Sequence, residues 1–170
     1  CSNNGKPNAI AGYGVFFSEN DPRNESKRVF GKQSNNTGEL TAFIRSLEIL
    51  EKEIANKCII HVYTDSEYVI KCVSTYGAKL ERNNWKTSTG KTPPNLELLQ
   101  KSYNLFKTSK SIKLHHIEAH TSKNDKHSLG NAEADRLACM SIGNTCEKSR
   151  KLEDNIILDW ITFDLKDSAK

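Results

Sequence analysis

Cys58-Ile59-Ile60-His61-Val62-Tyr63-Thr64-Asp65 (58–65) is an apolar, β-branched run that stops on a carboxylate, with Ser66 next in the chain. Its composition predicts a strand over 58–64. Helical spacing flanks it on both sides. Residues 37–56 repeat Leu40, Phe43, Ile44, Leu47, Leu50 and Ile54 every three or four positions, and 66–75 reads as a shorter helix.

Towards the N-terminus, residues 10–17 combine β-branched and aromatic side chains with Gly12 and Gly14, which permit close backbone approach. A polar turn over 19–24 leads to 25–31, predicted to pair as the next strand. Towards the C-terminus, Leu96, Leu99, Tyr103 and Phe106 share one face of a helix over 94–108. Residues 112–117 alternate as a strand, and 130–142 close the set with Ala134, Leu137, Ala138 and Ile142 at helical spacing. Early strands followed by alternating helices and strands predict a mixed α/β (α+β) fold, a mixed sheet flanked by helices. The domain is expected over 1–146. Residues 147–170 form an acidic and apolar extension whose stretch 155–163 reads equally as a late strand or an interaction segment.

A chain of 170 residues, 36% hydrophobic and 27% charged, suits one domain with a modest appendage. No apolar run approaches the ~20 residues of a membrane helix, so no membrane partner is expected. No signal-peptide pattern opens the chain, which begins at Cys1 rather than Met and reads as a fragment or processed product. Cys1, Cys58, Cys72, Cys139 and Cys146 form an odd set without C-x-x-C spacing, which predicts free thiols in a reducing intracellular compartment, cytoplasm or nucleus. The net charge of +4 is unevenly spread. Lys79, Arg82, Lys86 and Lys91 face only Glu81 within 79–91, while the tail from 152 to 167 is acidic. A basic segment beside acids suits a polyanion drawn towards a metal centre; a solvated lysine-rich face explains the charge alone equally well.

Three acids are candidates for that centre. Glu39 opens a helix, Asp65 ends a strand, and Asp135 is placed one turn into a helix beginning near Gly130-Asn131. Singly, Glu39 reads as an acid favoured near a helix N-terminus and Asp65 as a helix cap. Together, carboxylates at a strand end and on first helical turns are placed to grip divalent cations.

The stretches Ser34-Asn35-Asn36-Thr37-Gly38-Glu39-Leu40, Tyr63-Thr64-Asp65-Ser66, Asn84-Trp85-Lys86-Thr87-Ser88, His120-Thr121 and Gly130-Asn131-Ala132-Glu133-Ala134-Asp135, in this order and spacing, resemble type 1 ribonuclease H over roughly residues 1–143. The resemblance implies a five-stranded mixed sheet with flanking helices. It implies endonucleolytic hydrolysis of the RNA strand of RNA–DNA hybrids with two Mg2+ ions, Mn2+ being an alternative. It makes Glu39, Asp65 and Asp135 metal ligands and His120, on the loop before the last helix, a proton-transfer or product-release residue, with His127 the second candidate. Asn4, Asn35 and Asn36 match positions that contact the hybrid's minor groove. Lys32, Ser34, Ser88 and Asn95 match a pocket for a DNA-strand phosphate, and Lys86 belongs to the basic substrate-binding segment. Trp85 is expected to pack, and Leu80 stands where several relatives carry a DNA-contacting aromatic, leaving Tyr68 and Tyr76 as aromatic surface. A monomer is expected.

The family's first catalytic Asp precedes the position of Cys1, so three of four expected ligands are present. Two alternatives follow: a catalytically impaired domain of this fold that binds hybrid or a partner, and an integrase- or resolvase-type polynucleotidyl transferase. Asn35-Asn36 with Trp85-Lys86-Thr87-Ser88 argues against the second.

Overall fold

The computed structural model describes residues 1–118 and 125–144. In chain order they form β1 (Gly12–Val15), β2 (Glu25–Arg28), α1 (Asn35–Ile49), α2 (Glu51–Ala55), β3 (Ile60–Thr64), α3 (Glu67–Val73), α4 (Thr75–Arg82), α5 (Leu96–Thr108), β4 (Ile112–His116) and α6 (Lys126–Ser141). The extension 147–170 and Cys146 lie outside the described residues.

The fold is mixed α/β as expected, but the sheet is divided. β1 and β2 pair antiparallel, Gly12 opposite Arg28 through Val15 opposite Glu25. β3 and β4 pair in parallel, Ile60 opposite Ile112 through Thr64 opposite His116. Among the described residues there are thus four strands in two pairs, together with one isolated bridge between Ser2 and Ile10, where five strands were expected. A cavity of about 500 Å3 is lined by residues of both β1 and β3, and among the described residues no ladder joins the two pairs.

Local chemistry explains how the helices differ from their expected bounds. α1 begins at Asn35 because Ser34 Oγ accepts from the Thr37 N–H at 3.2 Å, a serine N-cap. The expected single helix over 37–56 turns at Leu50, which separates α1 from α2 while its N–H still bonds Ser46 O. α4 was not read from the sequence; Gly77 lets it pack against α3 and α5, since a Cβ there would stand 2.1 Å from Cys72 O and 2.5 Å from the Tyr103 ring. α6 starts at Lys126, four residues earlier than expected, because Asp125 Oδ1 accepts from the N–H groups of His127 and Ser128, each at 3.1 Å.

Two apolar clusters hold these layers. One joins α1 to α3, α4, α5 and β4 through Leu40, Phe43, Val69, Leu80, Leu99 and Ile112. The other joins β1 to β3 and the end of α1 through Tyr13, Val15, Phe17, Val29, Leu50 and Ile60. Trp85 packs edge-on to Tyr103, with ring centroids 5.8 Å apart, as a packing residue should. Cys72 is fully buried and burial raises its thiol pKa to about 11; Cys1, Cys58 and Cys72 are free thiols.

A polar cluster ties β2 to α1. Arg45 donates to both carboxylate oxygens of Glu25, at 2.8 and 3.2 Å, and Tyr13 OH donates to Oε2 at 2.9 Å. The Arg45 bonds, opposed by burial and aided by Lys27 and Tyr13, push the Glu25 pKa down to about 2. A depressed carboxylate stabilises the fold above its unfolded pKa and loses that contribution as pH falls through its folded one. Glu25 therefore contributes fully above about pH 4.5, and the contribution fades towards pH 2. Arg45 is 34% exposed, so the contribution is discounted for solvent to about 1–2 kcal/mol. Glu25→Gln should cost that much at neutral pH, read by chemical denaturation, and the difference from wild type should shrink as pH drops from about 4.5 to 2. A pH-independent difference would show that ionisation of Glu25 is not the source.

Candidate active site

Glu39 stands on the second turn of α1, with its backbone placed by the Ser34 cap. Its Oε2 accepts a hydrogen bond from Ser66 Oγ at 2.5 Å. The same Ser66 oxygen accepts from the Val69 N–H at 3.1 Å, capping α3. One hydroxyl therefore starts a helix and orients a carboxylate from another element. Asp65 follows the last residue of β3, and its Oδ2 accepts from Asn131 Nδ2 of α6 at 3.1 Å. Asp135 lies four residues beyond Asn131, on the same face of α6. Because α6 begins at Lys126, Asp135 sits more than two turns into the helix, not one; Glu39 likewise belongs to the second turn of its helix.

All three acids line the 500 Å3 cavity, together with Asn131 and residues of β1 and β3. They come from three elements, α1, the end of β3, and α6. Their carboxylate oxygens are the hard donors that Mg2+ or Mn2+ takes, so the donor set fits such ions in kind. Among the described residues, no three His, Cys, Asp or Glu side chains are gathered closely enough to form a metal-holding group.

A second constellation lies beside Asp65 on β3 and β4. His61 Nδ1 and His115 Nε2 share a hydrogen bond of 2.8 Å. The Tyr63 ring stacks between His115 and His127, with centroids at 4.7 and 3.9 Å. Burial holds His115 and His127 below the ordinary imidazole pKa, and neighbouring positive charge adds to the effect. His61 and His115 are thus strand residues whose ring nitrogens engage each other, while His116, next on β4, is exposed. His120 lies outside the described residues.

The residues matched to substrate binding fall into three groups, with Lys32 by itself. Asn4 Oδ1 accepts from the Asn35 N–H at 3.2 Å, bringing two of the three asparagines together; Asn36 is exposed beside them. Ser34 Oγ lies 2.7 Å from Thr37 Oγ1, which donates to Asn95 Oδ1 at 3.2 Å, so Ser34 and Asn95 are joined through Thr37. Asn95 takes φ +58° ahead of α5. Lys86 and Ser88 line a separate cleft of about 490 Å3 with Tyr76 and Lys79. Lys32 is exposed on the loop before α1. Of the four residues matched to a single phosphate pocket, Ser34 and Asn95 are thus joined by hydrogen bonds through Thr37.

The basic segment is less balanced than its sequence suggests. Glu81, its one acid, bonds Lys107 at 2.7 and 2.8 Å and Tyr103 OH at 3.0 Å. Lys79, Arg82, Lys86 and Lys91 are all exposed. Leu80 is buried, and Tyr68 and Tyr76 are half-buried against the core, which leaves little aromatic surface on this side.

Ser66, Thr37 and Asn131 lie within the motifs, but the motifs alone assign them no role. The adjacency of Ser66 to Asp65, and the spacing of four between Asn131 and Asp135, were the available signals.

The family model for RNase H matches residues 1–142. The chain is 35% identical over 136 residues to a ribonuclease H of Schizosaccharomyces pombe, covering 79% of this chain and 47% of that protein. It is 33% identical over 138 residues to ribonuclease H1 of Mus musculus, covering 81% and 46%, and 32% identical over 163 residues to a ribonuclease H of Orientia tsutsugamushi, covering 91% and 88%. The chain thus spans about half the length of the first two. Among solved structures, the solution structure of the PFV RNase H domain superposes with a TM-score of 0.54 at 21% identity, covering 67% of this chain and 68% of that one, a likeness of fold.

Proposed function

The chain belongs to the ribonuclease H family, and from that premise we propose that it hydrolyses the RNA strand of RNA–DNA hybrids endonucleolytically with two Mg2+ ions, Mn2+ being able to replace them. The observation that carries this is that Glu39, Asp65 and Asp135, from three elements, all line one cavity. These three side chains would hold the ions. When bound, paired divalent ions supply activation of a water and stabilisation of the leaving oxygen.

The chain's own residues do the rest. Ser66 fixes the Glu39 carboxylate and Asn131 fixes Asp65, so neither acid must reorganise as a phosphate arrives. Asn4, Asn35 and Asn36 offer donors and acceptors to ribose 2′-hydroxyls and base edges without demanding a sequence. Ser34 and Asn95, joined through Thr37, and Lys32 serve the DNA strand's phosphates, while Lys86 and Ser88 serve a neighbouring stretch of backbone. His120 is assigned the proton transfer, because His127 is held in the stack on Tyr63. The free thiols of Cys1, Cys58 and Cys72 suit a reducing intracellular compartment, and the protein acts as a monomer on the hybrid; no described helix is long and apolar enough to cross a membrane.

A second reading, a domain of this fold that binds hybrid without cutting it, is favoured by one observation: no three metal-binding side chains converge among the described residues. One experiment separates the two. Labelled hybrid, duplex DNA and duplex RNA of one sequence are incubated with the protein and Mg2+. Cleavage of the RNA in the hybrid alone supports the nuclease; binding of hybrid without cleavage supports the second reading; equal cutting of all three refutes both. Charge reversal at Lys86 and Lys91 should weaken hybrid binding and lower the slope of log affinity against log salt by roughly two. An unaltered slope would remove the basic segment from the phosphates.

A further inference from the structure

Phe30 is 96% exposed, far more than any other bulky apolar side chain among the described residues. The fold holds it there. Gln33 Nε2 donates to the carbonyls of Val29 at 3.0 Å and Gly31 at 2.8 Å, and Gln33 Oε1 accepts from the Ala11 N–H at 2.8 Å. One amide therefore clamps the backbone on both sides of Phe30 to the residue before β1. Gly31 takes φ +79°, a turn that a side chain would strain. Val29 is buried, so alternation along the chain sends Phe30 outward.

Cations surround this ring in sequence. Arg28 and Lys32 are exposed, and Lys27 reaches Glu25 while remaining largely solvated. Asn35, bonded to Asn4, begins α1 two residues beyond Gln33. An aromatic presented among cations fits a polyanion that offers apolar surface between its phosphates. In an intact duplex the bases are paired and stacked, and extruding one is costly. The surface left beside a phosphate is sugar. Deoxyribose presents a methylene at C2′ where ribose presents a hydroxyl. A phenyl ring gains by covering the first and must desolvate the second.

We propose that Phe30 packs on a deoxyribose of the DNA strand, beside the phosphate drawn in by Lys32, and so helps the protein distinguish that strand from RNA. This rests on the hybrid-binding reading above and adds a contact to it. The test is equilibrium binding without divalent cations, to hybrid and to duplex RNA of the same sequence. Phe30→Ala should weaken hybrid binding about tenfold while leaving duplex RNA binding unchanged, and Phe30→Leu should lose less. The salt slope should stay unchanged in Phe30→Ala and fall by about one in Lys32→Ala. The melting midpoint of Phe30→Ala should match wild type because the ring is solvated, which separates lost contact from lost fold. Equal hybrid affinity in Phe30→Ala, or an equal loss on both duplexes, overturns the proposal. A wild-type protein that binds no hybrid at all overturns the hybrid-binding reading itself, and with it this one.

Discussion

Asp65→Asn should reduce hybrid cleavage roughly a thousandfold, the loss of about 4 kcal/mol expected if the carboxylate proposed to hold the metal ions against the reacting phosphate loses its charge. The substitution is nearly isosteric, so the fold should survive it. Asn131 Nδ2 can still donate to the remaining amide oxygen, as it does now to Asp65 Oδ2 at 3.1 Å. The change is one of charge. Hybrid affinity should be unchanged or tighter, because a negative group facing the phosphate backbone disappears. Mg2+ affinity, read by calorimetry on the protein alone, should fall at least about tenfold. That second reading is informative even where cleavage is slow. Unchanged Mg2+ affinity together with unchanged cleavage would exclude Asp65 from the metal site.

Gly14→Ala should unfold or displace the helix that carries Asp135. A Cβ on Gly14 would lie 2.1 Å from Ala134 O and 2.8 Å from both Ala138 N and Leu137 Cβ. The obstacle is mostly helix backbone, which cannot swing aside as a flexible side chain could. Either β1 or α6 must move, and overpacking of this kind costs about 3 kcal/mol or more. The melting midpoint should fall by roughly 6–12 °C for a chain of this size. Hybrid cleavage should fall by more than the loss of folded protein explains, because the displacement also moves Asn131 and Asp135. A midpoint within about 2 °C of wild type would mean that the strand and helix are less closely packed than described.

The parts of this fold that were legible in the chain are those written locally. Leu40, Phe43, Ile44 and Leu47 recur at helical spacing, and they face inward on α1. The run ending at Asp65 forms β3 because β-branched and aromatic side chains suit a pleated, half-buried surface. Helix starts were less legible. Ser34 and Asp125 cap α1 and α6 through side-chain bonds that extend each helix ahead of its apolar pattern, and the pattern was all that the sequence reading followed there. α4 escaped notice because its short, charged sequence owes its helical state to packing of Gly77 and Leu80 against α3 and α5.

The candidate site divides the same way. Glu39, Asp65 and Asp135 could be singled out from the chain because an acid's place in a motif survives without coordinates. Their supports could not. That Ser66 reaches Glu39, that Asn131 reaches Asp65, and that Thr37 bridges Ser34 to Asn95 are contacts across 27, 66 and 58 residues.

By itself the amino-acid sequence determined the class of fold and the family, and it singled out the acids proposed to hold hard cations, since composition, periodicity and motif order are properties of the chain. Only the tertiary structure decided that the strands stand as two pairs, that the tyrosines left to supply aromatic surface are half-buried, and that Phe30 is held out in solvent by Gln33. Those outcomes depend on which distant backbones approach one another, and burial and hydrogen-bond geometry, unlike propensity, exist only after that approach.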